Sequence, residues 1–254
     1  MIREKRAQMK NTLIIIPAYN EEKTIKPLLE QLFIMDVCHF ADILVIDDAS
    51  TDGTRKILMS FQDRIVVIYH IFNQGYGASL KTGYCYAKRN HYKYIIQMDA
   101  DGQHAVGNIK HMYERMIKED APDILIGSRF MEGSSSFPIS KVKKLAIYYF
   151  RLLIRISTKK EITDPTSGLQ MMNERAFGYY SGYQNFDLKY PDANMIIKML
   201  LLHFRIEEIP AIMYARVEGV SIHSGLKPVL YMINMCLSTT AMMLRYSRFG
   251  RREI

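Results

Sequence analysis

Tyr94-Ile95-Ile96-Gln97-Met98-Asp99-Ala100-Asp101-Gly102-Gln103-His104 decides how this chain is read. The first five residues form an apolar run of the kind that makes a buried strand, and two carboxylates follow one residue apart. Side chains alternate along a strand, so Asp99 and Asp101 are expected to point the same way, at the strand end where open α/β sheets bind ligands. Hard divalent cations such as Mg2+ or Mn2+ take oxygen ligands, often one or two carboxylates completed by substrate phosphates. A lone Asp-x-Asp also reads as an exposed turn. The neighbouring segments separate the two readings.

Working outward, short apolar runs alternate with helical patterns through the first half of the chain, which predicts a mostly parallel, Rossmann-like α/β sheet flanked by helices. Strands are expected at Thr12–Ile16, Ile43–Asp47, Ile65–Tyr69, Tyr94–Met98 and Asp123–Gly127. Crossover helices are expected near Glu21–Met35, Thr54–Phe61, Tyr76–Asn90 and Asn108–Lys118. Asn20-Glu21-Glu22-Lys23 offers a cap and first-turn acids before the Ile25, Leu28, Leu29, Leu32 stripe. The first two strands end in Ile16-Pro17-Ala18-Tyr19-Asn20-Glu21-Glu22 and Ile46-Asp47-Asp48-Ala49-Ser50-Thr51-Asp52-Gly53-Thr54, opening onto the same crevice as the Asp pair. Asn73-Gln74-Gly75-Tyr76-Gly77-Ala78 adds a glycine turn at a helix start, where backbone N–H groups can face a ligand. No P-loop, dinucleotide fingerprint, zinc spacing or Ser-His-Asp order is present.

At 254 residues the chain can bury a full core, and 48% apolar and 24% charged residues are ordinary for a globular protein. Cys38, Cys85 and Cys236 are too far apart in sequence for a metal knuckle and read as buried thiols in a reducing compartment. Met1–Lys10 is basic without an apolar core, so no secretory signal is read and the cytoplasm is expected. The net charge of +8 is clustered: Lys141–Lys160 alone holds seven basic residues and no acid. Such clusters suit phosphorylated substrates or anionic lipid. Here they interleave with a broad apolar stripe, which argues against nucleic acid.

Beyond Arg129 the pattern changes. Met131–Ser140 reads as a mobile loop, and Val142, Leu145, Ala146, Tyr149, Leu152, Leu153 and Ile156 then form a helical stripe with Lys141, Lys144, Arg151 and Arg155 on the other side. A helix of this kind, about residues 141–158, either lies on a membrane surface or packs on its own domain with a solvated basic face. Pro228–Leu244 is uncharged but, at seventeen residues, short of the roughly 20 a span needs. Residues 1–225 are therefore read as a catalytic domain, and 226–254 as a C-terminal helix for membrane, partner or oligomer contact.

Taken together, Ile16–Glu21, Asp47–Thr54, Asn73–Gly77, Asp99–His104 and Gly127-Ser128-Arg129-Phe130 resemble the family 2 glycosyltransferases of the GT-A fold, over roughly Asn11 to Ser224. Asp164-Pro165-Thr166-Ser167-Gly168-Leu169-Gln170 and Glu208-Ile209-Pro210, followed by Arg216 and Gly219, are similar to the branch of dolichyl- and undecaprenyl-phosphate sugar transferases. Tyr190–Asn194 and His223–Pro228 resemble bacterial cell-wall and surface-polysaccharide members that work with a small membrane partner.

The resemblance implies a nucleotide-sugar donor, UDP-linked, lined by Pro17, Tyr19, Glu21, Ile46, Asp48, Gly75, Asp99, Ala100 and Asp101. Asp99, Asp101 and Gln103 would surround Mg2+ or Mn2+, and Arg129, Arg216 and Lys227 would meet phosphate. Asp101, Arg129 and Asp192 would be catalytic, with Asp192 near the acceptor, while Asp47 reads equally as a turn residue or a ligand and His104 as a residue that orients the loop. Inverting transfer of a hexose or N-acetylhexosamine to undecaprenyl phosphate is the expected reaction, at the cytoplasmic membrane face, by a peripheral protein able to form a homo-oligomer. A carbohydrate acceptor with Asp192 as base, and a non-catalytic nucleotide-binding subunit, are the alternatives.

Overall fold

Alternate residues of β1 (Thr12–Ala18) face opposite apolar layers, and this period of two organises the molecule. The computed structural model describes residues 10–189, 191–215, 234 and 236–241. β2 (Ala41–Asp47), β3 (Val66–Tyr69), β4 (Tyr94–Gln97), β5 (Ile124–Ser128), β6 (Gln170–Asn173) and β7 (Ile206–Pro210) join β1 in a seven-stranded sheet of order β3-β2-β1-β4-β6-β5-β7. Leu13 and Ile15 pack with Leu44, Ile46, Ile95 and Ile126 in a layer that includes residues of α3 (Tyr76–Arg89), α5 (Lys141–Thr158), α6 (Glu174–Ser181) and α7 (Ala193–Leu201). Ile14 and Ile16 pack with Val45, Ile96 and Leu125 in the opposite layer, with residues of α1 (Ile25–Ile34), α2 (Thr54–Met59) and α4 (Gly107–Met116). Strands buried on both faces read as continuous apolar runs, which is why the first strands stand out in the sequence.

The parallel half matches the expected order, and strand order reverses between β1 and β4, the place where such sheets open a ligand crevice. β6 departs from it. It runs antiparallel between β4 and β5, so β5 and β7 form a second parallel pair beyond it. Gln170-Met171-Met172-Asn173 carries little strand signal of its own. Its place is set by pairing on both sides.

Several local expectations are corrected. β4 ends at Gln97 and residues 100–102 turn, with Gly102 at φ +72°, so a turn and not strand alternation sets where Asp99 and Asp101 point. α1 starts at Ile25, and Asn20 does not cap it: its Oδ1 accepts from Thr51 N instead, 2.8 Å away. The loop before α5 is tied down by Ser134 Oγ, which donates to Ser128 O (2.7 Å), and by Met213 N, which donates to Ser135 O (2.8 Å). α5 buries Ala146, Ile147, Phe150, Leu153 and Ile154, a face rotated from the expected stripe, and leaves Leu145, Tyr148, Leu152 and Ile156 exposed. Arg151, expected on the solvated side, turns inward and donates from Nε to Thr163 O at 2.7 Å. All three cysteines are half-buried thiols.

Of the C-terminal helix, residues 236–241 are described and helical. They pack on their own domain: Cys236 lies against the Ala146, Phe150, Ala193 cluster, and Tyr149 and Thr240 hydroxyls are 3.0 Å apart. The expected boundary at 225/226 lies outside the described residues. Among those residues no helix is long and apolar enough to cross a membrane.

Asp123 binds the late strands to one another. Its carboxylate accepts from Asn173 Nδ2 (2.9 Å), Arg175 Nη1 (2.7 Å) and Arg205 N (2.8 Å). Burial pushes its pKa up, but these donors outweigh burial and hold it below the ordinary value. A depressed native pKa stabilises the fold above the unfolded pKa, and that stability is lost as pH falls through the native one. Asp123→Ala should therefore lower stability by about 1.5–3 kcal/mol at neutral pH, the range for hydrogen bonds to a charged group. Urea melts of variant and wild type should converge as the medium is made acid; a constant gap would contradict this account.

Candidate active site

The ends of β1 and β2 are laced together by reciprocal side-chain-to-backbone bonds. Asn20 N donates to Ser50 Oγ (3.0 Å), Glu21 N to Thr54 Oγ1 (2.8 Å), Glu22 N to Asp52 Oδ2 (3.1 Å) and Gly53 N to Glu22 Oε2 (2.7 Å). This spreads the two loops into one wall, on which Tyr19 stands 39% exposed. Pro17 is buried within β1, and Glu21 accepts from Thr24 Oγ1 at 2.7 Å. Asp47 is a turn residue: it is buried and accepts from Ser50 N (3.1 Å).

Asp48 is buried and heavily engaged. Oδ1 accepts from Gln74 N (2.9 Å) and faces His70 Nδ1 (2.7 Å), while Oδ2 accepts from Gly75 N (2.7 Å). Gly75 adopts φ +92°, a left-handed conformation that glycine takes without strain. Ile46 and Ala100, expected to line the nucleotide, have their side chains in the apolar core, so only their backbone could serve.

Asp99 lies across the crevice. Tyr76 Oη donates to its Oδ1 (2.9 Å), and the buried His104 ring presents Nε2 to its Oδ2 (3.3 Å). A carboxylate only accepts, so His104 Nε2 carries the proton and Nδ1 is left buried without a partner. Burial raises the Asp99 pKa, but the His104 hydrogen bond, the Tyr76 hydroxyl and the Lys143 charge together hold it below its ordinary value. Asp101 is half-buried and its Oδ1 accepts from Gln103 N (3.0 Å). The Gln103 amide is anchored through Nε2 to Tyr214 O (3.3 Å), which leaves Oε1 as its atom for a cation.

Among the described residues no three His, Cys, Asp or Glu side chains gather into a metal cage. The donor set nonetheless fits a hard divalent cation. Asp99 and Asp101 supply carboxylate oxygens one residue apart, and cations of this kind complete their shell from substrate phosphate and water.

Arg129 is the largest revision. It is buried, and Nε and Nη2 form a fork on Asp164 at 2.6 Å each, while Nη2 also reaches Thr166 Oγ1 (2.8 Å). Asp164 is wholly buried, and its backbone N donates to Glu208 Oε1 (2.8 Å). Glu208 also accepts from Thr163 N (2.6 Å), and burial pushes its pKa up. The cation expected to meet phosphate is thus held chiefly by a buried acid.

Sequence reasoning singled out neither Lys143 nor Tyr76. Lys143, in the first turn of α5, is exposed to solvent yet lies within electrostatic reach of Arg129, Asp164, Asp192 and Asp99. Asp192, the residue before α7, also acts on Tyr76, so it faces the same crevice. Lys143 was hidden in a run of seven basic residues, and only the helix's placement distinguishes it. Arg216, Lys227 and Tyr190 lie outside the described residues.

A family model described as glycosyl transferase family 2 matches residues 13–180. Polyprenol monophosphomannose synthase of Mycolicibacterium smegmatis is 27% identical over 229 residues, covering 84% of this chain and 81% of the relative. Undecaprenyl-phosphate mannosyltransferase of Micrococcus luteus is 26% identical over 229 residues, covering 84% and 87%. Glucosyl-3-phosphoglycerate synthase from Mycobacterium tuberculosis, crystallised with Mn2+, UDP and glucosyl-3-phosphoglycerate, has the same fold, with a TM-score of 0.64 at 15% identity over 93% of this chain and 80% of that one.

Gly168 tests the geometry around Asp99. A Cβ built there would lie 2.6 Å from Asp99 Oδ2, closer than atoms approach. Gly168→Ala should displace the carboxylate and weaken Mn2+ binding by about 10-fold or more, the usual scale when a ligand's supports are lost. Calorimetric titration showing unchanged Mn2+ affinity in a folded variant would refute the placement.

Proposed function

This chain belongs to glycosyl transferase family 2, and from that premise we propose that it transfers a hexose or N-acetylhexosamine from a UDP-sugar to a polyprenyl phosphate, undecaprenyl phosphate in particular, at the cytoplasmic face of a membrane. One observation carries the reading: the helix that brings Lys143 to the Asp99 crevice also offers an apolar, basic outer face. Leu145 and Tyr148 are 70% and 66% exposed there, with Leu152 and Ile156 exposed along the same helix. Lys141, Lys144 and Arg155 are also exposed on α5. A helix of this composition lies in a bilayer interface with its cations near lipid phosphate. Two relatives whose names specify polyprenol or undecaprenyl phosphate acceptors add support.

In the proposed reaction Tyr19 and Glu21 hold the base and ribose, with Asp48 behind them ordering the glycine turn. Mg2+ or Mn2+ held by Asp99 and Asp101, with Gln103 Oε1 alongside, would supply Lewis-acid neutralisation of the departing diphosphate. Lys143 adds preorganised positive charge where negative charge develops, a task that the Arg129–Asp164 fork leaves open. Arg129 orients the Asp164–Gly168 turn on which Asp99 rests. An acceptor phosphate is already ionised near pH 7, so it attacks without a general base and inverts the anomeric centre. Asp192 then orients Lys143 or the acceptor instead of removing a proton.

A sugar-hydroxyl acceptor would require Asp192 as base, and the two readings part in one assay. Radiolabelled UDP-sugars with Mn2+ and undecaprenyl phosphate should give an acid-labile lipid-linked sugar, with Asp192→Asn leaving the shape of the pH–rate profile intact. Label found only in glycan, with Asp192→Asn abolishing the basic limb, would overturn the lipid-phosphate reading.

Membrane docking is tested separately. Each cation near an anionic surface contributes about 1 kcal/mol, so Lys144→Ala should weaken binding to vesicles containing anionic phospholipid roughly fivefold. Leu152→Glu should weaken it further, with the melting temperature unchanged in both. Equal flotation of wild type and variants would count against α5 as the docking face.

A further inference from the structure

The segment between β3 and α3 is held from below and bare above. Ile71 is 96% exposed and Phe72 67%. Yet the same few residues make contact with both site carboxylates. At one end His70 Nδ1 lies 2.7 Å from Asp48 Oδ1, and Gln74 N and Gly75 N donate to the same carboxylate. At the other end Tyr76 Oη donates to Asp99 Oδ1 at 2.9 Å. His70 Nε2 rests 3.0 Å from Thr82 Oγ1 on α3, so the ring braces the strap against the helix it leads into. A Cβ on Gly77 would meet Leu188 O, which seats the start of α3 against the loop before Asp192.

Resting on the donor reading above, we infer that His70 and Tyr76 are positioning residues of one strap, which ties the nucleotide-side carboxylate Asp48 to the metal-side carboxylate Asp99 and makes nucleotide and metal binding cooperative. Asp48 follows β2 and Asp99 follows β4, two strands held apart by β1. The backbone from His70 to Tyr76 is a short covalent path between them. A nucleotide that presses on the Asp48 wall limits where Gly75 can sit, hence where the Tyr76 hydroxyl points, hence the rotamer of Asp99. The coupling is reciprocal, since a metal that fixes Asp99 must order the strap for the nucleotide by the same factor.

Calorimetric titration of the full chain with MnCl2, alone and with saturating UDP or GDP, tests this. In the wild type one of the two nucleotides should tighten Mn2+ binding. Tyr76→Phe, which removes a single hydroxyl, should weaken Mn2+ binding about 10- to 100-fold and reduce the nucleotide's enhancement to the part that diphosphate oxygens on the metal supply directly, with the melting temperature retained. His70→Leu should weaken nucleotide binding, and His70→Asn, which keeps an N–H for Asp48, should restore it. The inference fails if Tyr76→Phe leaves Mn2+ affinity and its enhancement by nucleotide unchanged, or if His70→Asn and His70→Leu behave alike. A wild type that binds neither Mn2+ nor either nucleotide overturns the donor reading itself, and the strap with it.

Discussion

The buried Arg129–Asp164 fork is the interaction on which the crevice depends. A guanidinium and a carboxylate removed from water each carry a desolvation cost of several kcal/mol, met only when the geometry is close and the remaining donors and acceptors are filled. Here both conditions hold, with two bonds of 2.6 Å and further partners in Thr166 and the Arg129 backbone N–H. The pair joins the end of β5 to the 163–168 turn. Glu208 of β7 holds the other side of that turn through Thr163 and Asp164. Gly168, at the end of the same turn, lets Asp99 lie against the backbone. Through these contacts a strand pair at one edge of the sheet determines where a carboxylate on β4's far side can stand.

Carboxylates in this molecule fall into two physical kinds. Asp47, Asp48, Asp123 and Asp164 are buried and surrounded by backbone N–H groups or arginine; they organise loops. Asp99, Asp101 and Asp192 are half-buried and reach solvent. Residue type does not separate the two kinds. Depth of burial does, and burial is a property of the assembled sheet.

α5 shows the same division along one helix. Phe150, Leu153 and Ile154 anchor it to α7 and the core, and Arg151 folds back to the Thr163 carbonyl beneath the Phe130 ring. What is left outside is a narrower apolar strip than periodicity predicts, mixed with lysines. The helix packs inward on one side and stays apolar on the other, the face on which the proposed membrane docking rests. The face toward the domain is occupied, with residues 236–241 laid across its Tyr149 and Phe150.

The sequence by itself determined the parallel half of the sheet, because strands buried on both faces must be continuous apolar runs and the loops after them must carry the polar residues a crevice needs. It also determined the family, from five motifs in order. Tertiary structure alone decided the rest. β6 has no apolar run to announce it, since its partners on either side supply its burial. The Asp99 turn, the inward-facing Arg151 and the strap from His70 to Tyr76 depend on contacts between residues distant in sequence, and local periodicity holds no record of them. Arg129 is the clearest instance: nothing local in its strand end announces that the fold brings Asp164 to within 2.6 Å of it.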